Sequence, residues 1–488
     1  MSQTVSVDAV ALLPEIVLAA TAGVVLLVDI STPRFDKAKN VMALFGVVAA
    51  TGCLFIAQSN GVRSTLDATF VLDHFAVMSK VVLLGAVALT LCMNTPKFHP
   101  GEYLALVLMA TVGMSAIASS RDLVTLIVSV ETLAICTYLL VGWNDRSRFR
   151  AEGTLKYFLF GIVSTAVTLY GASLLFGIAG DTSFSAISQA IEAGSLSGLV
   201  VPAVVLTLAG IAFKVALVPF HFWAPDAYQA APVPVTVFLA TASKIAGVLA
   251  LVSCCAFAFP GAHEVWQPVL VVFAIASVLI GNLVALRQTD LIRMLAWSSV
   301  GHGGFMVVPI AVVRDQITDA AVGTLLTYAA FYVLGTVCAF GAVQTLTRHR
   351  SGGFPTEALH GVFRTHILPG VALAIGLLSL AGIPPLGGWY AKFAILENVV
   401  GVGGSLAWVM AAVVVAMTAV GLAYYALAIA RMWRNEPDPA LAADHRDIDA
   451  SSAPSRHGFL IVMGFLVVVA GLVPGLIASV GGGQFFGV

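Results

Sequence analysis

The chain has 488 residues, of which 59% are hydrophobic and 10% charged, with a formal net charge of −1. Soluble domains carry roughly a quarter charged residues, so a mean hydropathy of +0.98 excludes an ordinary soluble fold and leaves little mass outside a membrane. The near-neutral balance also excludes a nucleic-acid or acidic partner.

Apolar runs long enough to span a bilayer, about 20 residues each, recur with short polar breaks. In chain order they cover 10–29, 40–58, 72–94, 103–119, 122–143, 154–178, 199–223, 233–259, 266–286, 290–313, 317–347, 367–402 (interrupted), 406–434 and 457–480. No charged segment precedes the first run and no small-residue cleavage site follows it, so it reads as a retained helix. The expected fold is an all-α polytopic membrane protein of about 14 transmembrane helices. Between the sixth and seventh runs, residues 181–197 place Phe184, Ile187 and Ile191 at helical spacing, as for a helix along the outer surface. Residues 435–456 are rich in Asp, Pro and Ala and read as a loop.

Of the 24 basic residues, 16 fall in odd-numbered loops and three (Arg63, Arg121, Arg314) in even ones. Basic residues collect on the cytoplasmic side, so odd loops are expected there and both termini outside. The six cysteines all lie in apolar runs, without metal-ligand or CxxC spacing, and read as small core residues.

Two runs are broken. The seventh reads GIAFKVALVPFHFWAPDAYQAAPVP, with Pro219 five residues after Lys214. The twelfth reads AGIPPLGGWYAKF, with Pro384, Pro385, Gly387 and Gly388 before Lys392. Proline removes a backbone donor and clashes with the preceding turn, so both helices should kink or unwind. Unwound backbone at membrane depth survives where it lines protein or a water-filled cavity. Breaks five runs apart suggest two inverted five-helix repeats. The expected division is helices 1–3 over 1–102, helices 4–8 over 103–259, helices 9–13 over 260–434, the loop 435–456, and helix 14 with the C-terminus over 457–488.

Charged side chains inside these runs are costly and mark functional sites. Glu131 lies ten residues past Arg121, about 15 Å deep at 1.5 Å per residue. Lys244 lies twelve residues past Pro232, and Lys214 twelve before Asp226, near the same plane. Lys392 occupies the second break. His221 follows Lys214 by seven residues, two turns on along the same face. His302 is central in its run; Lys156 is six residues past Arg150, near a span end. An opposite charge nearby favours a charged form, so a Glu131–Lys214 pair can act as a switch, with Lys244, His302 and Lys392 as a lateral path. Histidine suits such a relay because its ordinary pKa is near neutral. Plainer readings exist for several of these. Lys156 and Lys80 could snorkel to the interface, His302 could bond a backbone carbonyl, His221 could shape the kink, and the lysines could be static ion-pair glue. Glu15, Asp29 and Asp73 read as helix caps or interface anchors.

The stretch FKVALVPFHFWAPDAYQAAPVPVTVFLATASKIAG resembles the core motif of the antiporter-like subunits of respiratory complex I, the proton-translocating NADH:quinone oxidoreductase. The resemblance runs from about Leu13 to Val480. It favours the N type: PPLGGWYAKF matches that pattern, whereas the M type places Glu at Lys392. The longer L type ends in a lateral helix for which no residues remain after Val480. LLPEIVLA and DLIRMLAWSSVGHGGF also resemble the N type. The resemblance implies that Glu131 and Lys214 take up the proton, that Lys244 relays it and that Lys392 leads to the exit. Lys156, His221 and His302 would support the path. It implies further that this chain works as a subunit of the translocase, without a cofactor or metal of its own. NAD, FMN, iron–sulfur clusters and quinone would reside in partner subunits, and the expected neighbours are the M-type and small K- and J-type subunits in a bacterial inner membrane. A cation/proton antiporter subunit, or one of a membrane-bound hydrogenase or formate-coupled complex, is the alternative of the same fold. An inert membrane anchor and an independent transporter are alternatives of other classes.

Overall fold

The structure is a computed structural model that describes residues 7–32, 36–59, 61–93, 99–143, 148–194, 198–347, 353–434 and 454–486. The expected loop 435–456 lies largely outside the described residues. The chain begins with α1 (Leu13–Ser31), α2 (Asp36–Gln58), α3 (His74–Leu91), α4 (Pro100–Ser119), α5 (Leu123–Val141) and α6 (Arg148–Ala179). The surface helix read from Phe184, Ile187 and Ile191 is α7 (Phe184–Ala193), with those three residues buried. The first broken segment comprises α8 (Val200–Val215) and α9 (Trp223–Ala230). After it come α10 (Val233–Phe238), a π-helical turn at Leu239–Ser243, α11 (Lys244–Ser253), a second π-helical turn at Cys254–Ala258, α12 (His263–Ala285), α13 (Leu291–Ala311) and α14 (Asp319–Leu346). The short α15 (Val362–Thr365) precedes the second broken segment, α16 (Ile367–Ala381) and α17 (Gly387–Val402). Then follow α18 (Ser405–Met432) and a final helix, Pro454–Leu472, bent by 85° from a short extension.

Among the described residues eleven helices are long and apolar enough to cross a membrane, or twelve with the bent pair. Fourteen is reached only when each of the two broken segments is also counted as one crossing. The all-helical expectation misses one hairpin, Arg63–Thr65 paired antiparallel with Phe70–Leu72 between α2 and α3. Six residues give no hydropathy contrast in an apolar chain, which is why it escapes notice.

Helix starts follow ordinary capping chemistry, in which a side-chain oxygen accepts from an otherwise unpaired N–H. Asp73 caps α3 through Ala76, Asp122 caps α5 through Thr125, and Asp290 caps α13 through Arg293. The cap expected of Asp73 is therefore present, and the same carboxylate also pairs with Arg121 at 2.5 Å. Asp29 pairs with Lys39. Two other readings are corrected. Lys80 does not snorkel: its side chain is 0% exposed and its Nζ lies 2.7 Å from Glu15 Oε1. Glu15 is neither cap nor anchor, since the same oxygen accepts from Ser115 Oγ at 2.6 Å inside the bundle. Of the cysteines, Cys136, Cys254, Cys255 and Cys338 are buried as expected, while Cys53 is half-buried and Cys92 exposed.

The two breaks are built alike. Helix α8 ends with Ala216 in the left-handed region (φ 60°), Ala216 N–H donating to Phe213 O and Leu217 N–H to Ala212 O. Helix α16 ends with Gly382 at φ 83°, its N–H donating to Ser379 O and that of Ile383 to Leu378 O. Both are Schellman closures. Backbone groups freed at the first break find protein partners: Val218 N–H donates to Ser277 Oγ at 2.9 Å, and Trp223 Nε1–H to Phe213 O at 3.0 Å. An alanine in the left-handed region costs roughly 1 kcal/mol that glycine avoids, so Ala216→Gly is expected to raise thermal stability by about that amount. Gly382→Ala is expected to lower it by about 2 kcal/mol, because its Cβ would also lie 2.9 Å from Lys392 Cδ. Melting curves of the two variants should move in opposite directions.

Candidate functional site

Glu131 lies midway along α5, half-buried, and its Oε1 accepts a hydrogen bond from Thr165 Oγ1 of α6 at 2.6 Å. Lys214, buried at the end of α8, donates to Thr137 Oγ1 and Tyr157 OH, both at 3.2 Å. Tyr157 OH and Thr137 Oγ1 are themselves 2.9 Å apart. Glu131 and Lys214 do not form a direct ion pair. They face one cavity of about 30 Å³, bounded also by Tyr138, Ser164, Thr165 and Thr168. That volume admits a water molecule with several polar partners. The expected pair is thus two groups facing a shared cavity.

The helical segment that carries Lys244, Val233–Ala258, is buried at every residue from 234 to 255. A π-helical turn ends immediately before Lys244; such turns widen the helix and recur at functional sites. Lys244 Nζ donates to the backbone carbonyl of Ser299 on α13 at 2.5 Å. Ser299 Oγ shares hydrogen bonds with Tyr332 OH (2.9 Å) and Tyr228 OH (3.4 Å). Gly247 and Gly303 permit the close approach. A Cβ on Gly247 would lie 3.2 Å from Lys214 Cβ, and one on Gly303 3.4 Å from Lys244 Nζ.

His302 is buried on α13, one turn beyond Ser298 and Ser299. Its Nδ1 shares a hydrogen bond with Tyr328 OH at 2.6 Å, and its Nε2 lies 3.4 Å from Tyr425 OH. Tyr425 OH is in turn hydrogen-bonded to Ser298 Oγ. His302 is therefore joined to hydroxyls, not to the backbone carbonyl of the plainer reading. Lys392 sits on α17 but reaches back to the end of α16, donating to Leu380 O at 3.1 Å and Ala381 O at 2.9 Å. The last carbonyls of a helix lack intrahelical donors and carry partial negative charge, so the second break supplies a cation seat. Lys392, His302, Tyr328 and Tyr332 line one small cavity of about 10 Å³.

Two expected residues stand apart. His221 does not lie two turns along from Lys214, because α8 ends at Val215 and residues 216–222 are not helical. It is buried in the break, its ring 5.1 Å from that of Trp297. Lys156 lies outside the Lys214 cavity, 42% exposed, and pairs with Asp226 at 2.9 Å and Glu152 at 2.7 Å. It is held by both carboxylates, so it does not snorkel alone. Sequence reasoning missed the hydroxyls Thr137, Tyr157, Tyr228, Ser299, Tyr328, Tyr332 and Tyr425. Their one sequence signal is position inside apolar runs, which Ser, Thr and Tyr share with residues of no function. Among the described residues no three His, Cys, Asp or Glu side chains converge as a metal site.

Hydroxyls donate and accept at once. The arrangement therefore links Lys214, Lys244 and Lys392 to groups able to pass a proton. Carboxylate and first lysine share a cavity, the second lysine meets a Ser–Tyr cluster, and the third shares its cavity with a His–Tyr pair.

A family model described as NADH:quinone oxidoreductase/Mrp antiporter, transmembrane, matches residues 120–419, more than half of the chain. The chain belongs to that family. A relative from Rhodobacter capsulatus, named NADH-quinone oxidoreductase subunit N, is 34% identical over 88% of this chain and 89% of its own length. Among solved structures, a chain of respiratory complex I from Thermus thermophilus, solved with bound aureothin, is 28% identical. It superposes with a TM-score of 0.77 over 96% of this chain and all of its own. A chain of the Mrp complex from Dietzia superposes with a TM-score of 0.81 at 22% identity, over 97% and 96% of the two chains, and shares the fold. The family match takes in Glu131, Lys214, Lys244, His302 and Lys392 and leaves the Glu15–Lys80 pair outside it.

Proposed function

We propose that this chain is a proton-translocating membrane-arm subunit of an NADH:quinone oxidoreductase. Protons enter at the Glu131–Lys214 cavity, pass to Lys244 and its Ser299–Tyr332 cluster, and reach Lys392 beside His302. The observation that carries this reading is the repetition of one design. Each of Lys214, Lys244 and Lys392 is held by neutral oxygen acceptors, not by a carboxylate, in reach of hydroxyls or a shared cavity. Static ion-pair glue would join each lysine to an acidic partner, as Lys80 is joined to Glu15. Lys156 and His221 act from the margin, the first on α6 where it pairs with Asp226 of α9 and the second within the first break.

Energy arrives from redox chemistry in other subunits, where NAD, FMN, iron–sulfur clusters and quinone belong. The neighbours are membrane-arm subunits of M, K and J type, in a bacterial inner membrane with both termini outside. The division into two inverted five-helix repeats, 103–259 and 260–434, belongs to the same reading and is supported by the matching closures at Ala216 and Gly382. The fold shared with an Mrp chain keeps a cation/proton antiporter subunit as the second reading. Lys392 after PPLGGWYAKF and the 34% identity to a subunit N favour the first.

Lys244→Ala tests the path at its middle. In sealed membrane vesicles holding the assembled complex, the protons moved per NADH oxidised should fall, because the step through this subunit loses about a hundredfold or more in rate. A wild-type ratio in that variant would remove Lys244 from the path.

A further inference from the structure

Asp226 divides its carboxylate between two helices that do not share an extensive face. Oδ2 accepts from Lys156 Nζ of α6 at 2.9 Å, and Oδ1 accepts from Arg293 Nη1 of α13 at 2.6 Å. Arg293 Nη1 also donates to Gln229 Oε1 at 3.2 Å, one turn further along α9. Helix α9 packs against both α6 and α13, so it stands as a wedge between them with Asp226 reaching to each side.

What those two helices carry gives the clasp its significance. Tyr157, next to Lys156 on α6, accepts from Lys214. Ser299, six residues beyond Arg293 on α13, accepts from Lys244 through its carbonyl. His302 follows three residues later on the same helix. The two central lysines stand on α8 and α11, but one acceptor of each, Tyr157 and Ser299, stands on the two helices that Asp226 joins. Helices are stiff over such lengths, so a shift where Arg293 meets Asp226 carries Ser299 and His302 along with it.

The end of α13 at Arg293 is held from its other side as well. Asp290 Oδ1 caps the helix at Arg293 N–H, and its Oδ2 accepts from Phe354 N–H at 2.5 Å. Arg293 is thus fixed in its own helix and offers one arm to α9. Lys156 is held more loosely, since it divides its charge between Asp226 and Glu152.

We propose that Asp226 is a positioning residue that clamps α6 to α13 through α9 and so sets the register between the Lys214 and Lys244 sites. This rests on the reading of those lysines as a proton path. Transfer between fixed groups is steeply sensitive to their separation, and a misplacement of about 1 Å can cost two orders of magnitude. A clasp at the rim is then felt at the centre.

The test uses the whole complex in sealed membrane vesicles and reads three quantities: the amount assembled, NADH oxidation in the presence of an uncoupler, and protons moved per NADH. The variants are Asp226→Asn, Asp226→Glu, Arg293→Gln and, as a reference, Lys214→Ala. Asp226→Asn keeps the shape and removes the charge that holds both cations. The expected result is normal assembly and uncoupled oxidation, with the protons per NADH lowered about tenfold, and recovery of most of that ratio in Asp226→Glu. Arg293→Gln, which leaves the Lys156 arm intact, should lower the ratio in the same direction. A purely structural role would lower the amount assembled and leave the ratio per complex unchanged; that outcome overturns the proposal. So does failure of both Asp226→Asn and Arg293→Gln to assemble, which would make the clasp a folding determinant. The reference variant separates the two levels. Normal pumping in Lys214→Ala sinks the proton path itself. Lost pumping in Lys214→Ala with a wild-type ratio in Asp226→Asn sinks the positioning role alone.

Discussion

Replacing Lys214 by alanine is expected to slow proton transfer through this subunit by about a hundredfold, the low end of what a positioned proton-transfer group contributes, and so to lower the protons moved per NADH. The variant removes the cation that faces the Glu131 cavity and leaves Thr137 and Tyr157 bonded to each other without the ammonium that donates to both. Glu131 would then look across about 30 Å³ at neutral hydroxyls and apolar walls. Among the described residues no other cation lines that cavity, so none of them substitutes for Lys214 there. The comparison that decides is Lys214→Arg. A guanidinium keeps a charge at the same place but does not give up its proton in a protein. A path that needs only positive charge survives Lys214→Arg; one that needs a lysine able to release its proton fails in both variants. The measurement is the quenching of a pH-sensitive dye against NADH oxidation in vesicles whose complex content has been matched. Normal pumping in Lys214→Ala would return the residue to the role of inter-helix glue.

The largest expected effect on stability lies elsewhere, at Lys80. Its side chain is 0% exposed, that of Glu15 is 9% exposed, and the two are 2.7 Å apart with Ser115 on the same oxygen. Removing one partner of a buried pair strands the other charge, at a cost of about 3 to 5 kcal/mol. Lys80→Ala should therefore lower the melting temperature of the solubilised subunit or prevent its accumulation in the membrane. Replacing both partners by apolar residues is often neutral, so Lys80→Met with Glu15→Leu should recover most of the loss. A double variant as unstable as Lys80→Ala would mean that the pair supplies more than mutual neutralisation. Because the pair lies on α1 and α3, away from the cavities at Lys214 and Lys392, pumping per assembled complex should stay at the wild-type ratio in the double variant.

Much of the fold was readable before any coordinates. Twenty-residue apolar runs have one economical use, and Pro219, Pro384 and Pro385 break their helices for local reasons. The cap at Asp73 is equally local, while those at Asp122 and Asp290 emerged only from the structure. The hairpin at 63–72 was not readable, because strands of three residues carry no usable period. At the site, Glu131, Lys214, Lys244 and Lys392 stood out because a charge in hydrocarbon is expensive. The helical-rise count runs along continuous helix for Glu131 and Lys244, whereas that for Lys214, taken back from Asp226, crosses the non-helical residues 216–222. For His221 the same arithmetic failed, since it counts turns through a segment that has none.

The sequence by itself determined the membrane class of this protein, the positions of its two breaks and the identity of its four central charges. All three follow from partition and backbone terms that each residue carries with it. Tertiary structure alone decided what each charge meets. It separated Glu131 from Lys214 by a cavity, gave Lys244 and Lys392 carbonyl partners, and buried Lys80 against Glu15. It also set Asp226 between Lys156 and Arg293, 70 and 67 positions away. Such partners depend on how helices cross, and crossing is a property of packed surfaces with no counterpart in the order of residues along the chain.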